Sequence, residues 1–333
     1  MRPFCESAGV SCRGYSLGLQ RALSDFGADL AFGKVPQKLR EHYGITVPAS
    51  AAQAITEQHA AAMKTQQAEL QQLPRGGVAQ LIGELDGSMV PIVSIAVSSD
   101  KATARDGRKR RQLSWREARL SLARSADKVS GRYAATLGGP AQAGAQFVDC
   151  VIRAGGGRAT KLHCVGDGAK WIANQIKERL GEQANYLIDF YHLSEYLAGA
   201  AEVVAGANKT AWLQQQQQRM KTNRVGEVLR ELRAHQARLP ATTAAAETDP
   251  VQSCRQYLEH RLGYLDYAGA LSRGLPIGSG EVESGHRSVI QARLKLSGAW
   301  WKEETAENML ALRTLRANDD WEAYWSEARQ AAA

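Results

Sequence analysis

The sequence predicts an α/β protein: a sheet flanked by helices, interrupted by a helical insertion and preceded by a helical region. Three strand-like segments follow one another after Gly77, and strands then alternate with helices up to about His192. An Ala- and Gln-rich stretch with helical periodicity follows. We therefore predict four parts: an N-terminal helical region at 1–74, the α/β domain at 75–192 and 273–333, and the insertion at 193–272.

Composition indicates a folded protein that does not cross a membrane. The chain has 333 residues, 44% hydrophobic and 23% charged. No uncharged apolar run approaches the roughly 18 residues of a membrane span, and the N-terminus lacks the apolar core of a signal peptide. We expect a cytoplasmic protein. The five cysteines are odd in number and never in C-x-x-C spacing, which is typical of reduced thiols.

A dense run of cations dominates the charge pattern. The net charge is +8, and one segment of fifteen positions contains Arg105, Arg108, Lys109, Arg110, Arg111, Arg116 and Arg119. Such a run is often only a solvated loop. Together with the excess over the whole chain, it favours a phosphate backbone as the partner.

The N-terminal region has a helix-turn-helix pattern. Residues 15–70 have helical periodicity, Gly44 predicts a stop, and Ser50 is placed to cap the next helix. A plain helical bundle is the alternative. Because "SAAQAITEQHAAA" contains no Arg or Lys, base contacts would come from Gln53, Gln58 or His59. The flanking cations are Lys34, Lys38, Arg40 and Lys64.

Acidic residues follow the predicted strands. Asp86, Asp167 and Asp189 come at or near the ends of "VAQLIGELDG", "TKLHCVGDG" and "ANYLIDFYH". Functional side chains of α/β sheets gather at the carboxyl ends of strands. Each residue also has an ordinary interpretation: Asp86-Gly87 could form a hairpin turn, and Asp167 could cap a helix.

A helix predicted over Ser279–Leu296 contains two glutamates in its first turn. At about 100° per residue, Glu283 falls between Ile290 and Leu294, so we expect it to point inward. Glu281 lies roughly 160° away, where the helix dipole favours an exposed carboxylate, so we expect it to be structural.

An inward carboxylate requires a cation. Glu283 could pair with Arg287 one turn later, which is ordinary on helices. Alternatively, Asp86, Asp167 and Glu283 together could hold two Mg²⁺ ions through oxygen ligands, as in enzymes of phosphoryl transfer. In a basic protein, this second alternative predicts a metal-dependent nuclease or strand-transfer enzyme.

Four segments resemble the ordered motifs of bacterial insertion-sequence DDE transposases of the ISKra type. They are "LDGSMVPI", "VGDGAKWI", "IDFYHLSEYL" and "GLPIGSGEVESGHRSVIQARLKLSGAWW", and the resemblance extends from about Gly14 to Trp325. It implies an RNase H-like catalytic domain with a helical insertion, and an acidic triad of Asp86, Asp167 and Glu283. Asp189 and His192 are similar to the C/D-x-x-H signature of mutator-like enzymes.

The resemblance implies a transposase that cleaves element ends and joins them to target DNA. It would use two Mg²⁺ ions, replaceable by Mn²⁺, held by Asp86, Asp167 and Glu283, with His192 near the reacting phosphate. It would act as a homo-oligomer on DNA in the bacterial cytoplasm. The alternatives are an RNase H-like nuclease without strand transfer and a domesticated DNA-binding regulator. The expected DNA contacts are Arg108, Lys109, Arg110, Arg111, Arg287, Arg293 and Lys295.

The tryptophan pair Trp300 and Trp301 has two interpretations. Both rings could fill the core beside the C-terminal helix. Alternatively, they could stack on an unpaired base.

Overall fold

The fold is an α/β fold with a five-stranded mixed sheet flanked by helices, as predicted. The computed structural model describes residues 10–11, 14–67, 72–95, 111–238 and 249–332. The strands are β1 (Val10–Ser11), β2 (Tyr15–Ser16), β3 (Gln80–Ile95), β4 (Arg111–Ser125), β5 (Arg132–Thr136), β6 (Lys161–Gly166) and β7 (Ala184–Ile188).

The helices precede, alternate with and follow the strands. They are α1 (Leu17–Asp29), α2 (Val35–Tyr43), α3 (Ala49–Gln66), α4 (Pro140–Arg153), α5 (Lys170–Leu180), α6 (Phe190–Val204), α7 (Lys209–Lys221), α8 (Val225–Gln236), α9 (Pro250–Glu259), α10 (Tyr267–Ser272), α11 (Gly280–Gly285, continued by π-helical turns at His286–Gln291 and by Ala292–Leu294), α12 (Glu303–Ala317) and α13 (Trp321–Ala332).

The sheet joins an antiparallel meander to two parallel strands. Its order is β5-β4-β3-β6-β7, with β3, β4 and β5 antiparallel and with β6 and β7 parallel to β3. Pairing between β3 and β6 ends where Leu85 meets Gly166. Beyond that point, β3 and β4 continue as a two-stranded ribbon to Ile95 and Arg111.

Alternation along β3 sends its side chains into two different layers. Leu81 and Leu85 belong to the core formed with α4, α5 and the insertion helices. Val90 and Ile92 belong to a second core formed with α11, α12 and α13. α11 approaches the sheet closely at Gly285, where a Cβ atom would lie 2.9 Å from the side chains of Leu120 and Tyr133.

The pair Asp86-Gly87 does not form a turn. β3 runs through it without interruption, so the two predicted strands are one, and Asp86 lies within a strand rather than at its end. A Cβ atom at Gly87 would lie 2.2 Å from Oε1 of Glu117 on β4, so a larger residue there would displace the Glu117 side chain. The hairpin interpretation of Asp86-Gly87 is therefore wrong.

The described residues of the N-terminal region form the helices α1, α2 and α3, in line with the helical region that the periodicity predicts. α2 ends at Gly44, whose φ of 67° suits glycine, so the predicted stop is confirmed. α3 begins at Ala49 after Pro48, and its N-cap makes no side-chain hydrogen bond, so Ser50 is not the cap. Ala60 and Met63 of α3 pack into the core shared with α12 and α13.

The insertion helices share their core with the sheet. Leu193 and Leu197 of α6 and Leu258 of α9 belong to the same cluster as Leu81 and Leu85 of β3. Among the helices that the structure describes, none is both long and apolar enough to cross a lipid bilayer.

Candidate active site

Asp86 and Asp167 follow partner residues of two adjacent strands. Leu85 of β3 pairs with Gly166 of β6, and each aspartate is the next residue along its parallel strand. Their carboxylates interact electrostatically. Burial raises the pKa of Asp167, and the negative charge of Asp86 raises it further, whereas the hydrogen bond from the Ala169 amide opposes this rise. A cation bound between these two carboxylates would relieve their mutual repulsion.

The loop after β6 is held by the insertion. Tyr257 on α9 donates its hydroxyl hydrogen bond to the Asp167 carbonyl at 2.7 Å, and Arg261 Nε donates to the Gly168 carbonyl at 2.9 Å. Gly168 has a φ of 84°, which favours glycine. The Asp167 carboxylate accepts the Ala169 amide at 2.7 Å, but Ala169 is itself the N-cap of α5 and that cap has no side-chain hydrogen bond, so the capping interpretation of Asp167 is wrong. The insertion therefore fixes the backbone that carries Asp167.

The two glutamates of α11 face opposite to the prediction. The Glu283 side chain is 64% exposed and pairs with Arg287, as the i,i+4 alternative predicted. Glu281 is turned toward the sheet, where its carboxylate binds Nε of the largely buried Arg124 at 2.7 Å. The expectation of an inward Glu283 is wrong, whereas the contact with Arg124 gives Glu281 a structural role.

The N-terminus of α11 is anchored by Asp189, which follows β7. Asp189 Oδ2 accepts the Ser279 amide at 2.6 Å and also the Ser279 hydroxyl. Its Oδ1 caps α6 by accepting the amides of Tyr191 and His192 at 2.6 and 3.0 Å. One carboxylate thus joins the end of β7 to the start of the helix that carries Glu283.

A buried glutamate on β3 provides a second anchor that the sequence analysis missed. Glu84 is only 1% exposed, and its Oε2 accepts the Val282 amide of α11 at 2.7 Å. Burial raises its pKa to about 7, against the hydrogen bond from Val282, with a smaller rise from Glu281. The available signal was its spacing, because residues two apart on a strand share a face and Glu84 precedes Asp86 by two.

His286 is the second functional candidate that sequence analysis missed. It is buried at the start of the π-helical turns, and its Nε2 lies 3.2 Å from Oδ2 of Asp86. Short π-helical segments are frequent at functional sites. The signal in the sequence was its position three residues after Glu283, on the apolar side of α11.

His192 lies in the first turn of α6 rather than at a strand end. Its ring packs against Tyr196 and Tyr257, with centroid distances of 5.5 and 5.9 Å. Its charge is close enough to lower the pKa of Asp167 slightly, against the larger effect of burial. His192 is therefore a neighbour of Asp167, and its Nδ1 lies 3.5 Å from the Glu195 carboxylate.

The oxygen ligands at the strand edge suit a hard cation, but the predicted triad does not converge. Asp86 and Asp167 supply two carboxylates. Glu283 is engaged with Arg287, and the described residues contain no group of three or more histidine, cysteine, aspartate or glutamate side chains placed to hold a metal ion. Two of the three predicted ligands are brought together.

The predicted DNA contacts have different outcomes. Arg108, Lys109 and Arg110 lie outside the described residues. Arg111 and Lys295 are exposed, and Arg287 pairs with Glu283. Arg293 is buried between Phe32 and Trp301, with its guanidinium 4.6 Å from both ring centroids, so it is not available to DNA and that expectation is wrong.

Two of the side chains proposed for base contacts in the N-terminal helices are already engaged. His59 is buried against Tyr324 and Gln20, so it cannot read a base. Gln53 donates a hydrogen bond to Glu57 at 2.9 Å.

Comparison of the chain with protein families and with curated proteins finds no match.

Proposed function

We propose that this chain is a DDE transposase that cleaves DNA at insertion-sequence ends and joins the 3′-hydroxyl to target DNA. The observation that carries the proposal is that Asp86 within β3 and Asp167 just after β6 directly follow the paired residues Leu85 and Gly166, and that Asp86 contacts His286 of the helix that bears Glu283. The motif resemblance and the net charge of +8 support an RNase H-like enzyme acting on DNA.

Asp86 and Asp167 are the residues that would hold Mg²⁺ or Mn²⁺. Such ions, when bound, activate a water or a 3′-hydroxyl and stabilise the leaving oxygen of a phosphodiester. Glu283 would complete the ligand set once its ion pair with Arg287 opens. Both groups of this pair are mostly exposed, and exposed ion pairs contribute only about 0–1 kcal/mol, so opening costs little.

The surrounding residues of the chain would orient the acids. His286 contacts the Asp86 carboxylate and limits its rotation. Glu84 and Asp189 hold the first turn of α11 against β3 and β7. His192 would act beside Asp167 rather than as a metal ligand, because Mg²⁺ prefers oxygen.

We propose that the N-terminal helices and the basic segment at 105–111 contact DNA, and that the active form is a homo-oligomer in the bacterial cytoplasm. The exposed cation Arg40 on α2 supports a DNA-facing surface there, whereas Lys38 is half-buried and pairs with Glu41. α3 is less suited to direct readout, because His59 is buried.

The test uses the purified full chain, Mg²⁺ and a plasmid carrying the genomic DNA that flanks its coding sequence. Nicking and joining to a second plasmid are measured on gels. Asp86→Asn, Asp167→Asn and Glu283→Gln should each reduce nicking by more than about 100-fold, because loss of an outer-shell partner alone typically costs 10–100-fold. Binding of the plasmid should be retained.

Glu281→Gln is the matched control on the same helix. The amide can still accept a hydrogen bond from Arg124, so nicking should fall by less than about tenfold. If Glu281→Gln abolishes nicking and Glu283→Gln does not, the proposed triad is wrong. Nicking without joining would indicate the nuclease, and binding without nicking would indicate the regulator.

A further inference from the structure

The ribbon formed by β3 and β4 beyond Leu85 exposes an apolar face. Pro91 pairs with Trp115 and Val93 with Leu113, and directly paired residues share one face of a sheet. Trp115 and Leu113 are 56% and 52% exposed. Val93 itself is buried, but Leu113 and Trp115 are two residues apart on the same face of β4 and so form a contiguous exposed apolar surface, the kind that marks binding sites.

A cavity lies between this face and the segment after α11. Its volume is about 440 Å³, within the range of small-ligand pockets. Trp115 and the half-exposed Trp300 both line it, together with Pro91, Leu113 and Leu296. The two tryptophans fit different interpretations, because Trp301 is buried in the core, whereas Trp300 faces solvent.

The charges around the cavity favour an anionic ligand with an aromatic part. Lys295 is the charged side chain among its described lining residues. On the other side of Trp300, the Arg111 guanidinium lies 5.5 Å from the centroid of the indole ring. Aromatic rings beside cations are the combination that binds single-stranded nucleic acid, where bases stack and phosphates are neutralised.

The cavity is connected to the candidate active site through Lys295. Its Nζ donates a hydrogen bond to Ser88 Oγ at 3.0 Å, and Ser88 is two residues after Asp86 on the same face of β3. From Asp86 to Pro91, β3 rises about 17 Å at about 3.4 Å per residue. About five nucleotides of a B-form strand cover the same distance.

We propose that Trp115 and Trp300 form a stacking site for one unpaired nucleobase of a DNA strand, with Lys295 and Arg111 neutralising the adjacent phosphates. Because Pro91 and Trp115 lie on the face of the ribbon opposite to Asp86 and Ser88, the DNA strand would pass from one face to the other beside Lys295, which lines the cavity and contacts Ser88. This inference rests on the proposed action on DNA, and it assigns a subsite outside the acidic residues.

The test measures binding of a 5′-fluorescein-labelled 15-nucleotide oligothymidylate to the full chain by anisotropy, without divalent ions. Trp115→Leu and Trp300→Leu should each weaken binding by about 5- to 150-fold, the equivalent of one lost base stack. Trp115→Phe and Trp300→Phe should retain most of the affinity, since phenylalanine also stacks. Binding of a labelled 15-bp duplex should change by less than about threefold.

Met89→Ser is the matched control, because Met89 is an apolar side chain of the same ribbon that is 47% exposed but does not line the cavity. It should leave oligothymidylate binding unchanged. If Met89→Ser weakens binding as much as Trp300→Leu, the stacking site is refuted. A loss of self-association in the Met89 and tryptophan variants, measured by sedimentation, would assign the face to a second copy of the chain and would also refute it.

Asp86→Asn separates this inference from the proposed function. The variant should bind oligothymidylate like the unmodified chain, because Asp86 is about 17 Å from the cavity along β3. Tryptophan-dependent binding without any DNA cleavage would refute the transposase and keep the stacking site. If the chain cleaves DNA but oligothymidylate binding depends on neither tryptophan, only the stacking site is refuted.

Discussion

Glu84 makes a structural hydrogen bond, and the pKa of its carboxyl group is strongly raised. In the unfolded chain a glutamate titrates near 4.5, whereas burial raises the pKa of Glu84 in the fold to about 7. The folded state therefore holds the proton more tightly. The stability that Glu84 contributes is fully present below pH 4.5 and is lost as pH rises through about 7.

We predict that Glu84→Gln removes this loss. Glutamine keeps an oxygen that can accept the Val282 amide but carries no charge. The melting temperature of the variant relative to the unmodified chain should therefore rise between pH 4.5 and pH 8. Glu303→Gln is the control, because Glu303 forms an exposed ion pair with Arg116 and its effect should not change with pH in this way. A constant difference for Glu84→Gln would contradict the prediction.

The inverted positions of Glu281 and Glu283 have a physical cause that the sequence does not carry. The predicted orientation of Glu283 assumes a rotation of 100° per residue from Glu283 to Ile290 and Leu294. The helix changes to π-helical turns at His286–Gln291, which contain more residues per turn, so the count fails across that segment. Within Gly280–Gly285 the buried side chain is Val282, and Glu283 lies one residue beyond it, facing outward.

At the scale of elements, the alternation of strands and helices could be predicted because its signals are local. "TKLHCVGDG" predicts β6 followed by Asp167, and Gly181 closes α5 with a φ of 56°. The anchoring of α11 could not be predicted, because Asp189 and Ser279 are ninety residues apart in sequence. The sequence relates Asp189 only to the C/D-x-x-H signature, which does not give the residue a specific role.

We predict that Asp189 affects activity through the position of α11. Asp189→Ala removes the cap of α6 and the bonds to Ser279, so stability should fall by about 1–2 kcal/mol and DNA nicking by more than about tenfold. Asp249→Ala is the matched control, because Asp249 caps α9 by accepting the Val251 amide at 3.0 Å and makes no contact with α11.

Asp189→Ala should lose more stability than Asp249→Ala in urea unfolding, because it also loses the bonds to Ser279, but only Asp189→Ala should lose nicking at a temperature where both are folded. Equal nicking by the two variants would show that Asp189 is only a helix cap.

At the scale of the whole molecule, the N-terminal and C-terminal helices form one core. Met63 of α3 and Trp325 of α13 belong to the same cluster, and Arg316 of α12 binds Asp25 and Asp29 of α1. The sequence predicts residues 1–74 only as a separate helical region, because contacts over more than 200 residues leave no periodic signal. The N-terminal region is therefore coupled to the part of the fold that packs α11 against the sheet.

His59 makes this contact sensitive to acid. Its Nδ1 lies 2.7 Å from the Tyr324 hydroxyl and its Nε2 lies 2.9 Å from the Gln20 amide oxygen. Burial lowers its pKa from 6.5 to about 4. The unfolded chain therefore takes up a proton first, so the stability that neutral His59 contributes is present above pH 6.5 and is lost as pH falls through about 4.

We predict that His59→Gln lowers the melting temperature at pH 8, because one of the two hydrogen bonds is lost. Between pH 6.5 and pH 4, the melting temperature of the variant should fall less than that of the unmodified chain. His260→Gln is the control, since His260 is exposed at the end of α9 and should change neither value. Hydrogen exchange should locate the acid effect, with amides of α3 and α13 losing protection before those of β6. Equal acid sensitivity of His59→Gln and the unmodified chain would mean that other groups control the contact between the two ends of the protein.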